Sequence, residues 1–125
     1  MRLFFAAVFF AAMATGSLAQ QPVMVYLAGD STCANKTADK RPETGWGEML
    51  QQYFDPAKVK IVNEAQNGRS TKSFIDEGRW QSLVNRLQKG DWFFVEFGHN
   101  DEKKDKLAVY ASPEDSKSIL GKFIR

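Results

Sequence analysis

At 125 residues, with 43% hydrophobic and 26% charged residues, the chain has the size and composition of one soluble globular domain. Seventeen basic residues against fifteen acidic ones leave a net charge of only +2, and no basic run interleaves with aromatics, which speaks against nucleic acid as a partner. A single cysteine excludes an internal disulfide framework.

The first nineteen residues stand apart. Arg2 is their only charge, Leu3–Ala14 is almost continuously apolar, and Ser17-Leu18-Ala19 puts small residues at −3 and −1 of a cut before Gln20. The pattern predicts a secretory signal peptide over 1–19, a domain portion over 20–125, and a secreted or periplasmic product. The apolar run falls short of the ~20 residues of a membrane span, so no stable membrane anchor is expected.

Val23–Ala28 is an unbroken apolar run, read as a strand buried on both faces of a parallel sheet. Gly29-Asp30-Ser31-Thr32 then turns the chain at the strand's carboxyl end, where α/β sheets collect their chemistry. Gly-Asp-Ser is also ordinary turn composition, with Asp30 stiffening the turn. Cys33 reads as a small buried residue just past it, with a partner in sequence beyond this stretch or in another chain as the alternative. Cys33–Thr44 is polar and loop-like, and its Asn35-Lys36-Thr37 fits the glycosylation pattern. Thr44 is a candidate cap for a helix whose apolar face is Trp46, Met49, Leu50 and Tyr53. Pro56 ends that region.

Val59–Val62 is the second strand, and Lys60 places it near an edge. Gly68 makes a tight turn, and Ser70 or Thr71 starts another helix. Trp80, Leu83, Val84 and Leu87 form the apolar face here, and Gly90 is the expected stop. Trp92–Phe97 is the third strand, apolar enough to be expected central and covered on both sides. Asp101–Ala111 is a charged loop. Ser112-Pro113-Glu114-Asp115 has a cap, a first-turn proline and first-turn acids, and Ile119, Leu120, Phe123 and Ile124 form the stripe of the helix it opens.

The order β-α-β-α-β-α predicts an α/β fold with a parallel sheet and right-handed crossovers. All three β-to-α junctions then lie along one edge. They carry Gly29-Asp30-Ser31, Asn67-Gly68-Arg69-Ser70 and Gly98-His99-Asn100-Asp101. Ser31 offers a hydroxyl and a backbone N–H, Gly68 an unobstructed N–H, and Asn100 a side-chain amide. Together these make the donor set of an oxyanion hole beside a nucleophile. Arg69 has two readings, an ion pair with a buried acid or a face for an acidic sugar. Asp101 has the plainer reading of a loop cap.

These blocks, YLAGDST, GWGE (Gly45–Glu48), NGRS and VEFGHND (Val95–Asp101), in this order, resemble the SGNH (GDSL-type) hydrolases, and within them the rhamnogalacturonan acetylesterases. The resemblance implies a flavodoxin-like three-layer sandwich of strand order 2-1-3-4-5, of which three strands fall within this chain. It implies Ser31 as nucleophile, Gly68 and Asn100 in the oxyanion hole, an acetylated polysaccharide as substrate, and no metal or organic cofactor.

The family's late Asp-x-x-His block has no match here. The only histidine is His99, inside the GHND block. Neighbouring residues leaving a strand point to opposite sides, so His99 is expected beside the site, with service as general base the less favoured role. Two readings follow. One is the N-terminal part of a larger esterase. The other is a short chain that binds glycan without catalysis. An SGNH lipase or thioesterase is an alternative within the fold. A phosphate module is disfavoured, since no glycine-rich loop and lysine accompany Gly29.

Overall fold

The computed structural model describes residues 20–124. The signal peptide expected over 1–19 lies outside the described residues. Three parallel strands, β1 (Val23–Gly29), β2 (Val59–Asn63) and β3 (Trp92–Glu96), form a sheet in the order β2-β1-β3. This matches the expected α/β architecture and the first three positions of the 2-1-3-4-5 order. Val25 stands opposite Ile61 on one side and Trp92 on the other, and Leu27 opposite Asn63 and Phe94.

β1 takes the centre because it can be buried on both faces. Val25 and Leu27 pack with Cys33, Ala34 and Ala65 on one face, joined by Leu50, Val59 and Ile61. Tyr26 and Ala28 pack with Phe74 and Leu83 on the other, joined by Trp80, Phe93, Val95 and Phe97. The first face is covered by the short helix α1 (Trp46–Met49) and a 3₁₀ turn at Leu50–Tyr53. The second is covered by α2 (Thr71–Asp76), α3 (Arg79–Val84) and α4 (Pro113–Phe123). Phe123 closes that layer edge-on to Trp80, with ring centroids 4.4 Å apart.

Several elements differ from the sequence expectation. Thr44 does not cap the first helix; Gly45 does, without a side-chain bond. Trp46, Met49 and Tyr53 are exposed, and Leu50 alone of that face packs on the core. The helix is anchored by backbone instead. Trp46 N–H donates to Thr32 O at 3.0 Å and Gly47 N–H to Cys33 O at 3.2 Å. A Cβ on Gly45 would lie 2.1 Å from Ala34 O, and one on Gly47 2.6 Å from Cys33 Sγ. The two glycines of Gly45–Glu48 are therefore what lets α1 seat against the β1 turn.

Ser70 does start α2, with a full capping box to Ser73. The second helical region is two helices, because Gly78 at φ +72° breaks it, and it ends at Val84, well before Gly90. Ser112 caps α4 as expected, accepting from Asp115 N–H. Of its stripe Phe123 is buried, while Leu120 and Ile124 are exposed. The third strand takes its place beside β1, as the 2-1-3-4-5 order requires, but it is not covered on both sides among the described residues. Among the described residues β3 is an edge strand, and Trp92 and Phe94 are 64% and 47% exposed on the face that α1 leaves open.

Two predictions follow from these positions. Cys33 is fully buried, and burial first, then the Glu96 charge, push its thiol up to about 12. It should resist alkylation by iodoacetamide at pH 8 in the folded protein and react once denatured, as mass spectrometry will show. Rapid native labelling would contradict the packing. Separately, the open β3 edge with its apolar side chains is a template for association. The 20–125 segment expressed alone should self-associate in light scattering, and Phe94→Lys should reduce this without lowering the melting temperature.

Candidate active site

The three junctions do meet at one edge of the sheet, and a continuous set of hydrogen bonds joins them. The β1 turn is organised by Asp30. Its Oδ1 accepts from Thr32 N–H at 2.9 Å and from the Thr32 hydroxyl at 3.0 Å, while its backbone carbonyl accepts from Ala34 N–H at 2.9 Å. Asp30 Oδ1 thus holds the turn. Asp30 is fully buried, and its Oδ2 has no hydrogen-bond partner among the described residues. The Thr32 hydroxyl also lies 2.6 Å from Glu96 Oε2 at the end of β3, which ties the first junction to the third strand.

Ser31 is half-buried at the crest of this turn. Among the described residues its hydroxyl and its backbone N–H have no hydrogen-bond partner. The backbone bends around it because its neighbours, not Ser31, carry the turn's bonds. Its carbonyl oxygen accepts from the Lys36 ammonium, which also donates to Asn67 Oδ1 at 3.2 Å.

Asn67 opens the second junction. Arg69 N–H closes its turn onto Gln66 O at 3.3 Å, and Gly68 sits at φ +76° with open space where a side chain would project. Only a residue without Cβ adopts that backbone without strain. The Gly68 N–H is again unused among the described residues. Arg69 points back along α2, its Nε 3.1 Å from Glu77 Oε1. Hydrogen bonds from Arg79, then Arg69, hold the Glu77 carboxyl below its usual range. Arg69 therefore pairs with an acid, but with an exposed one, not the buried acid of the first reading.

The third junction supplies Asn100, buried, with Nδ2 donating to Arg69 O at 2.9 Å. Lys103 Nζ lies 2.6 Å from its Oδ1. An ammonium can only donate, so this contact fixes which end of the amide is oxygen. One Nδ2 hydrogen is then left over. His99, the next residue back, is exposed with Nδ1 3.5 Å from Glu102 Oε1. The two side chains diverge, as expected for adjacent residues leaving a strand. Asp101 is buried and caps α2. It accepts from Thr71 N–H at 3.2 Å, from the Thr71 hydroxyl, and from Ser116 of α4 at 2.9 Å.

The edge thus holds one free hydroxyl, two free backbone N–H groups and a free amide hydrogen, on three loops tied by side chains. That set can receive a carbonyl oxygen that becomes negative during attack at carbon. Sequence reasoning missed Lys36 and Glu96 as ties between the loops, and Lys103 as the partner of Asn100. Glu96 carried a readable signal, a lone acid in the apolar run of β3. The two lysines carried none, since each lies in a loop with other lysines.

Comparison with known proteins gives the family. Residues 25–125 match the family described as GDSL-like Lipase/Acylhydrolase. A probable rhamnogalacturonan acetylesterase of Bacillus subtilis, YesY, is 40% identical over 101 residues, covering 80% of this chain and 46% of that protein. The rhamnogalacturonan acetylesterase RhgT of the same organism is 40% identical over 93 residues, covering 74% of this chain and 40% of its own length. The rhamnogalacturonan acetylesterase of Emericella nidulans is 46% identical over 77 residues, covering 62% of this chain and 28% of that protein. The crystal structure of Bacillus subtilis YxiM superposes with a TM-score of 0.72 at 27% identity, covering 84% of this chain and 29% of that one. The chain therefore spans less than half the length of these relatives. It belongs to the SGNH (GDSL-type) hydrolase family and is homologous to the N-terminal region of rhamnogalacturonan acetylesterases.

Proposed function

We propose that this chain carries the nucleophile and oxyanion hole of an exported serine esterase that removes acetyl groups from a pectic polysaccharide such as rhamnogalacturonan. The observation that carries the reading is the set of unspent donors beside an unspent hydroxyl. Ser31 Oγ attacks the acetyl carbonyl. The oxygen that becomes negative is met by the N–H groups of Ser31 and Gly68 and by the free Asn100 Nδ2 hydrogen. The sugar hydroxyl leaves, and water then releases acetate from Ser31. The relatives named as rhamnogalacturonan acetylesterases supply the substrate class.

A serine hydroxyl needs a base to take its proton at neutral pH. His99 faces away with Glu102, so it is a poor fit to that role. The proposal places the base on a histidine outside the present sequence, in keeping with the relatives' greater length. Asp30 serves the turn through its Oδ1 and Asp101 caps α2, each accepting from donors of the chain.

The test uses the full gene product. It should release acetate from acetylated rhamnogalacturonan. Ser31→Ala should cost on the order of 10⁴–10⁶ in turnover, and Asn100→Ala about 10²–10³. Residues 20–125 alone should show negligible turnover, and the gene read beyond Arg125 in any frame should encode an Asp-x-x-His motif. A full product inactive on acetyl esters, or an active one indifferent to Ser31→Ala, would overturn the reading.

A further inference from the structure

Lys36 is unusual among the cations of the described residues. Its side chain is only 4% exposed, yet it lies in a polar loop. An ammonium taken out of water is costly unless each of its three hydrogens finds an acceptor. Here each does. Nζ contacts Ser31 O, lies 3.2 Å from Asn67 Oδ1, and lies 2.9 Å from Glu43 Oε1. Only Glu43 brings a compensating charge, and its side chain is 60% exposed. Two of the three hydrogens are spent on neutral oxygens, one in each of the first two junctions. For stability alone, an apolar side chain of similar volume would often serve as well.

The two acceptors are the informative part. The bond to the Ser31 carbonyl restrains the peptide plane that follows Ser31, and with it the turn that carries Oγ and the Ser31 N–H. Asn67 precedes Gly68, and holding its side chain holds the turn that aims the Gly68 N–H. Between these junctions the main chain supplies one further bond, Gln66 N–H to Gly29 O at 3.0 Å. Lys36 itself is anchored, its N–H donating to Glu48 Oε2 at 3.1 Å and Glu48 in turn pairing with Arg41. Those two bonds, Arg41 first, hold the Glu48 carboxyl below its usual range.

We infer that Lys36 is a positioning residue of the esterase reaction, setting the nucleophile turn against the Gly68 turn through its bonds to Ser31 O and Asn67 Oδ1. The inference rests on the serine-esterase reading and adds a role that the donor set alone does not require. A donor misplaced by an ångström costs turnover more than binding, because it is met only as charge develops.

The test is a double-mutant cycle in the full gene product with 4-nitrophenyl acetate as substrate. Active sites are counted by phosphonate titration, so that misfolded protein does not enter kcat. Lys36→Met and Asn67→Ala should each lower kcat by about 10–10²-fold while KM stays within about twofold, and the double variant should lose little more than the worse single one. A purely structural role would lower the titrated fraction and the melting temperature but leave kcat per site alone. Asn67 is exposed, so Asn67→Ala decides the matter even if Lys36→Met does not fold. Wild-type kcat in Asn67→Ala, or losses that simply multiply, would overturn the inference while leaving the esterase reading intact. A wild-type product without turnover would overturn both.

Discussion

The parallel pairing of β1 on both its edges is the constraint from which the rest follows. Once Val25 is opposite Ile61 and Trp92, the three strands end together, and the turns after them share one edge. Nothing in those turns needs to be near in sequence. Ser31, Gly68 and Asn100 are separated by more than thirty residues each, yet a ladder of main-chain bonds delivers them to the same place. Parallel strands permit this because every strand must be left by a crossover, so every strand end on that side is a junction of the same kind.

Placing polar loops at the end of a buried sheet has a cost, and the way this chain meets it shapes the site. Asp30 and Asp101 are buried acids; Asp30 accepts from the N–H and hydroxyl of Thr32 in its own turn, and Asp101 from the N–H and hydroxyl of Thr71 at the start of α2 and from Ser116 of α4. Lys36 and Lys103 are cations turned inward onto neutral oxygens. Satisfied in this way, the loops hold one arrangement, which is what preorganised donors require. Among the described residues the donors left unspent at the junctions include the Ser31 hydroxyl and N–H, the Gly68 N–H and one Asn100 hydrogen, and the buried Asp30 Oδ2 is an acceptor without a partner. The partition between spent and unspent polar groups separates scaffold from chemistry here better than burial does, since Asn100 is buried and Gly68 is exposed.

Much of this was legible in the residues, for physical reasons. β1 could be read because an unbroken apolar run ending at glycine has few other homes. The α2 and α4 starts could be read because Ser70 and Ser112 cap locally, through bonds to residues three positions on. What failed was what depends on distant chain. Trp46 and Met49 have helical spacing, but the backbone approach at Gly45 and Gly47 seats α1 so that they stay exposed. The apolar spacing of Trp80 through Leu87 suggested one long helix, and the left-handed Gly78 fixes two short ones in the region. Trp92 and Phe94 read as buried because apolar strands usually are; how much of β3 is covered depends on what packs beside it, which its own sequence does not carry. Lys36 could not be told from its neighbours, because its burial is decided by Ser31, Glu43 and Asn67.

The central claim is that Ser31 is the group that becomes acylated. The most direct measurement is peptide mass spectrometry of the full gene product after inactivation with a fluorophosphonate, which forms a stable adduct only on an activated nucleophile. The account predicts one adduct per molecule, on the peptide containing Ser31, with loss of esterase turnover in step with labelling. An active enzyme whose adduct maps to another residue, or that turns over unimpaired with Ser31 labelled, would contradict it.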